Sequence, residues 1–181
     1  HEFNGIGTDE EPGSTRKVFE ELGIADKIEW IQLKDAYHLI SEKEGYDYVM
    51  PFGAEAFAKE NNKLHPDGEK YIKDFLALCK QIREAMAYLG ETKGKPDPQV
   101  MMERFPDYLA CGSYSVKEGF EALGYPKVIV DNLNAYWCYL GADENNMTFL
   151  HYANMINSYI TGGAAIPRCR SHEISLACEE R

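Results

Sequence analysis

The side chains best suited to metal binding or nucleophilic chemistry are spread thinly along this chain. Its five histidines and five cysteines show no HxxxH, HExxH or CxxC spacing. The residues Cys169-Arg-Ser-His172 form one CxxH pair, but a structural zinc site needs a second pair of ligands. We therefore predict no metal site and interpret Cys169 as a loop cysteine beside the histidine that opens the last helix.

Motifs typical of nucleotide binding or hydrolysis are also absent from the sequence. No GxSxG elbow, P-loop or GxGxxG occurs, and Gly5-Ile6-Gly7 is only a glycine pair in a loop. The 30 acidic residues are too numerous for one carboxylate pair to stand out as an acid–base couple. The residue pattern by itself therefore assigns no catalytic residue.

Composition and charge narrow the class of protein. The 181 residues are 44% hydrophobic and 27% charged, which is typical of a globular domain. The net charge of -11 disfavours nucleic acid as a partner and, less strongly, attachment to an anionic membrane by charge alone. The scattered cysteines favour a reducing, cytosolic compartment. Because the sequence opens on His1 rather than Met, we expect that it has been trimmed or cut out of a longer reading frame.

The elements that must position any site predict an α+β fold. Three segments, residues 28–33, 37–41 and 46–50, have strand character, and their short connections predict a small antiparallel β-meander. About six α-helices should pack on it, and the strongest prediction is residues 67–89, where apolar side chains recur at helical spacing. The helical segments, three of them short (14–22, 54–61 and 99–104), are predicted at residues 14–22, 54–61, 67–89, 99–104, 115–123, 127–140, 148–160 and from 171 onward. We interpret the Gly/Pro-rich stretch 90–98 as a loop inside a single domain spanning 1–181.

The last third of the chain contains short segments in a distinctive order. Trp137-Cys-Tyr-Leu-Gly141 and Met147-Thr-Phe-Leu-His-Tyr-Ala153 are followed by Gly162-Gly163, Pro167-Arg168 and Ser171-His-Glu-Ile-Ser-Leu-Ala177. This order resembles the substrate-domain half of the phytoene desaturase and carotenoid isomerase family, FAD-dependent oxidoreductases of the amine-oxidase superfold. Three earlier segments are similar to that family in the same order: His1-Glu-Phe-Asn-Gly-Ile-Gly, Phe19-Glu-Glu-Leu-Gly-Ile24 and Leu64-His-Pro66.

The resemblance implies that this chain is the substrate-binding insertion of a larger flavoprotein. Its FAD-binding segments would lie before residue 1 and after residue 181, and the missing flavin domain would be its partner within one chain. The expected reactions are desaturation, saturation or isomerisation of carbon–carbon double bonds in a long apolar, isoprenoid or carotenoid-like substrate. The segment alone is expected to bind no FAD and to be inactive. The parent protein is expected in the cytoplasm, where peripheral membrane contact is compatible with a lipophilic substrate.

The same resemblance implies which residues form the site. Those expected near the flavin are His1, Gly162, Gly163, Pro167 and Arg168, and those expected to line an apolar substrate tunnel are Trp30, Trp137, Tyr139, Phe149 and Tyr152. Simpler interpretations stand beside these: core packing for the aromatic residues, a helix C-cap for the glycine pair, and a solvated loop charge for Arg168. Where the family has Gly-Gly after Pro-x, this sequence has Cys169-Arg170, which either reshapes that surface or marks a divergent subfamily.

Two functions from other classes remain open on the sequence. One is a free-standing module that binds an apolar ligand without chemistry. The other is a helical interaction domain that docks a partner through an exposed aromatic face. A bare apolar surface would favour the fragment of a flavoprotein, and a pocket with a continuous polar exterior would favour the binding module.

Overall fold

The computed structural model describes residues 2–7 and 13–180, and it confirms the α+β fold class. Within those residues, nine α-helices accompany five short strands, all antiparallel where they pair. The strands are β1 (Phe3–Asn4), β2 (Trp30–Gln32), β3 (Asp35–Ser41), β4 (Tyr46–Pro51) and β5 (Ala164–Pro167). The helices are α1 (Ser14–Glu21), α2 (Ala54–Glu60), α3 (Gly68–Glu91), α4 (Pro98–Arg104), α5 (Pro106–Cys111), α6 (Val116–Leu123), α7 (Lys127–Leu133), α8 (Phe149–Gly162) and α9 (His172–Glu179).

The chain divides into two compact units. Unit 1 comprises the described residues up to Phe57 and those from Ser158 onward, and unit 2 comprises Ala58–Asn157. The two boundaries fall inside α2 and α8. The assignment of residues 1–181 to a single domain stays a prediction.

The strands of unit 1 form two small sheets rather than one meander. In the first sheet the order is β1-β5-β2, and in the second β3 pairs only with β4. The predicted meander is therefore wrong for its first strand. The structure instead pairs β2 with β5, and the Leu33 N–H extends this ladder by donating to the Ala164 carbonyl at 2.9 Å.

A small apolar cluster lies beside the first sheet of unit 1. Ile24, Ile28 and Ala177 are buried, and the partly buried side chains of Phe19, Trp30 and Ile174 pack against them. The cluster thus joins α1 and β2 with α9, which lies far from both in sequence. This packing holds the edge of β2 in place, because burial of each large apolar side chain contributes about 1.5–3 kcal/mol.

Unit 2 is built on α3, whose buried residues follow a helical stripe from Ile72 to Ala85. The start of α6 has a capping box, in which the Ser115 hydroxyl and the Glu118 carboxylate each bond the other residue's backbone N–H. Within the same unit, the Asn132 side chain donates to Asn61 Oδ1 at 2.9 Å, which pairs one donor and one acceptor of these two buried amides. Across the described residues, no helix is both long and apolar enough to cross a membrane.

Candidate functional site

The predicted flavin-side residues Pro167 and Arg168 lie at the end of β5, opposite β2. Pro167 is paired with Trp30 in the antiparallel register. The Arg168 backbone N–H donates to the Glu29 carbonyl at 2.9 Å. The Nε atom of the Arg168 side chain lies 2.6 Å from Glu29 Oε2. This hydrogen-bonded carboxylate raises the pKa of the Arg168 guanidinium, so Arg168 is a fixed positive charge at this edge of unit 1.

The Glu173 carboxylate ties the turn after β5 to the residue that precedes β2. Its Oε1 accepts the Glu29 backbone N–H at 3.2 Å, and its Oε2 accepts the Cys169 N–H at 3.0 Å. Glu173 lies in the first turn of α9, where an acidic side chain is also favoured by the helix dipole. Sequence reasoning missed this role, although an acidic residue at the start of a predicted helix was the available signal.

Gly162 and Gly163 end α8 and lead into β5. Gly163 has a φ of +65°, and its N–H donates to the Tyr159 carbonyl at 3.1 Å. This is the left-handed geometry that glycine adopts after a helix, so the C-cap interpretation is confirmed. A Cβ placed on Gly162 would meet nothing within 4 Å, and its backbone is therefore open to close approach by another group.

Trp30 packs between aromatic rings on the same sheet. Its ring stacks on Phe19, with centroids 5.8 Å apart, and meets the edge of Phe3 at 5.6 Å. Its indole Nε1 is buried and has no hydrogen-bond partner among the described residues. Such an orphaned donor is uncommon in folded proteins. Because the atom is buried, a ligand could reach it only if the packed rings moved.

The other aromatic candidates lie in unit 2 and form part of its core. Phe149 and Tyr152 are fully buried, and the Trp137 ring lies 5.6 Å from that of Tyr152. Phe75 and Phe120 complete this aromatic cluster through edge and stacked contacts. The observed packing is that of a hydrophobic core, and the role of these three residues in binding substrate stays a prediction.

Tyr139 differs from the other predicted substrate residues because it faces outward. Its side chain is 52% exposed and stacks on Tyr136 with ring centroids 4.9 Å apart. It lies at the end of Asn134–Tyr139, a 3-10 helix rather than the continuation of α7 that the sequence predicts.

The structure thus distributes the predicted site over the two units. Trp30, Gly163, Pro167 and Arg168 lie on or beside the β1-β5-β2 sheet of unit 1, together with Gly162 at the end of α8. Trp137, Phe149 and Tyr152 contact one another or shared neighbours in unit 2. His1, the remaining cofactor candidate, lies outside the described residues.

Cys169 and His172 line one cleft of about 240 Å³ at the start of α9. Its other lining residues are Lys27, Glu173, Leu176, Ala177 and Glu180. Within residues 2–7 and 13–180, no three His, Cys, Asp or Glu side chains are grouped so that they could hold a metal ion. The Glu173 carboxylate is already engaged by backbone N–H groups, which leaves it poorly placed to act as a ligand.

A flavin contact stays a prediction for unit 1, where the backbone of Gly162 is open but the Trp30 Nε1 is buried. The glycine-rich turn and helix that cradle an FAD pyrophosphate have no counterpart in this sequence. A comparison of the chain with protein-family models, curated proteins and solved structures finds no match in any of the three.

Proposed function

We propose that this chain is the substrate-side part of an FAD-dependent oxidoreductase of the phytoene desaturase-like class. Its substrate would be a long apolar molecule of the isoprenoid or carotenoid kind. The reaction would be desaturation, saturation or isomerisation of carbon–carbon double bonds. A bound flavin would accept or return the two electrons and two protons that interconvert a single and a double bond. The parent enzyme would be cytoplasmic, with peripheral contact to the membrane that stores such substrates.

The observation that carries this proposal is the pairing of β1 with β5. Sequence reasoning assigned two distant segments to the flavin side, one beginning at His1 and the other containing Gly162–Arg168. In the structure Phe3 pairs with Ala165 and Asn4 pairs with Ala164, which brings those segments side by side. A flavin domain docked on this side of unit 1 would meet both segments on the same sheet.

The backbone of Arg170 supports the same proposal from a different direction. Arg170 has a φ of +70°, in the left-handed region that favours glycine. It occupies a position where the resembling family has one of its paired glycines. A glycine would adopt this backbone without strain, so the conformation is compatible with a glycine at this position in the resembling family.

Exposed apolar side chains in unit 1 are also compatible with a missing neighbour. Val18 is 51% exposed on α1 and Ile40 is 63% exposed on β3. Leu22, Ile31 and Val49 of the same unit are exposed as well. A docked flavin domain would remove such surface from water, at about 25 cal/mol for each Å² of apolar area.

The test is to sequence the coding DNA on both sides of this segment. The proposal expects a strand–GxGxxG–helix unit upstream and a second flavin-contacting segment downstream, both in frame. Flanking sequence in frame without either feature would reject the proposal, and binding without chemistry would then be the better hypothesis.

A further inference from the structure

Beside the aromatic cluster of unit 2 lies a cavity of about 340 Å³, which no step of the proposed flavin chemistry uses. It is formed where α6 ends and α7 begins, around Gly124 and Tyr125. Its lining residues are Lys117, Phe120, Glu121, Gly124, Tyr125, Lys127, Val130 and Glu144. Its volume falls at the lower end of the roughly 300–1,000 Å³ typical of small-molecule sites.

The base of this cavity is apolar and held in place by the core. Phe120 is 5% exposed and stacks on the buried ring of Phe75, with centroids 5.9 Å apart. The Tyr125 ring is tilted against both Phe120 and Tyr71 at 6.5 and 5.1 Å. Because these contacts fix both rings, the cavity is largely formed before any ligand arrives, which lowers the entropic cost of binding.

The charges around the cavity disfavour an anionic ligand. Lys127 is hydrogen-bonded to the carboxylate of Asp131 one helical turn away, so its charge is already balanced. The remaining charged residues of the lining are Lys117, Glu121 and Glu144. The acidic side chains thus outnumber the single remaining lysine, while the alkyl stems of the lysines add apolar wall.

We propose that this cavity binds a small neutral apolar molecule with one or two flat rings, seated against Phe120, Tyr125 and Val130. The binding is non-covalent and needs no cofactor. It is independent of the proposed flavin chemistry, since every lining residue belongs to unit 2. Offset stacking on the two rings and exclusion of water from Val130 supply the attraction.

The experiment is an NMR titration of the full chain with 2-naphthol, followed through backbone amide shifts. We expect saturable shifts centred on Gly124, Tyr125 and Val130, and weaker binding of the anion 2-naphthoate. Shifts that spread over the aromatic residues of both units without saturation would overturn the proposal, and so would tighter binding of the anion.

A matched pair of variants on α7 sharpens the test. Val130→Trp fills the cavity and should abolish the saturable shifts, whereas Val128→Trp changes a half-buried valine of the same helix that does not line the cavity and should leave them intact. Val130→Phe is a milder filling variant if the tryptophan disturbs folding, which circular dichroism would show. Undiminished binding in a folded Val130 variant would overturn the proposal.

Discussion

Phe3 and Ala165 are opposite partners in an antiparallel ladder, and Ala165 pairs with Gln32 on its other side. The Gln32 side-chain amide also donates to the Gly7 carbonyl at 2.5 Å. Three chain segments that are far apart in sequence therefore meet on one small sheet. This sheet carries Trp30, Pro167 and the turn to Arg168, so the proposed function depends on it more than on any other element.

The protein should be more stable with glycine than with alanine at position 170, because the backbone of Arg170 is left-handed. Arg170→Gly and Arg170→Ala both remove the charge, but only glycine relieves the backbone at a φ of +70°. We expect Arg170→Gly to exceed Arg170→Ala by about 1 kcal/mol in the free energy of unfolding. Chemical denaturation of the two variants measures the difference, and equal stabilities would contradict the left-handed assignment.

Gly119 should tolerate no side chain, because α6 approaches Phe149 closely at this point. A Cβ on Gly119 would lie 2.2 Å from Phe149 Cδ2, and Phe149 is fully buried. Gly119→Ala should lower the free energy of unfolding by about 1–3 kcal/mol through overpacking. Gly90 of α3 is the matched control, because a Cβ on Gly90 would meet nothing within 4 Å. Gly90→Ala should instead raise the free energy of unfolding by about 1 kcal/mol. Chemical denaturation measures both changes. If Gly119→Ala and Gly90→Ala shift the free energy of unfolding in the same direction, the close contact of Gly119 with Phe149 is refuted.

The Tyr125 hydroxyl should make stability depend on alkaline pH. Burial, and then the nearby Asp74 carboxylate, raise the pKa of Tyr125 from 10.0 to about 12. Because the folded-state pKa is the higher one, the stabilisation is complete below pH 10.0 and is lost as the pH rises toward about 12. Denaturation at a series of pH values should show this loss, and Tyr125→Phe should reduce it. An identical pH dependence in the variant would count against the assignment.

The free thiols should separate into fast and slow classes with a disulfide-forming reagent. Cys169 and Cys178 are exposed, whereas Cys79 is buried and its pKa is raised well above the ordinary value by desolvation. We expect Cys79 to react only when unit 2 opens, and Cys169→Ser to remove part of the fast phase alone. Mass spectrometry of the labelled peptides distinguishes the classes, and rapid modification of native Cys79 would show that the α3 packing is wrong.

Sequence periodicity predicted α3 well because its apolar spacing persists over many turns. The phase was less accurate: Met86, one of the apolar residues at that spacing, is 38% exposed, while Ala85 is buried. Small side chains such as alanine give little periodic signal, although they pack closely in a core. Helix continuity after Leu133 was also wrong, because Tyr136 departs from helical angles and the segment tightens into a 3-10 helix.

The first sheet could not be predicted, because its central strand has an unusual sequence. Ala164-Ala-Ile-Pro167 contains one β-branched residue and ends in proline, so neither strand propensity nor alternation indicated β5. Without β5, the sequence offered no partner for β2 except β3. The motif order did mark Pro167 and Arg168 as site candidates, but the contacts of Arg168 with Glu29 and of Glu173 with two backbone N–H groups required long-range structure.

The proposed flavin-dependent function is tested most directly by measuring the flavin content of the protein expressed from the entire reading frame that includes residues 1–181. If the proposed function is correct, this protein purifies with stoichiometric FAD. An apolar polyene then either reduces the bound FAD or is isomerised by the protein without net redox change. The proposed function further predicts that Arg168→Ala weakens FAD retention while leaving thermal unfolding nearly unchanged, since Arg168 is an exposed side chain. A folded full-length protein that binds no FAD, even with the cofactor in excess, would contradict the proposed flavin-dependent function.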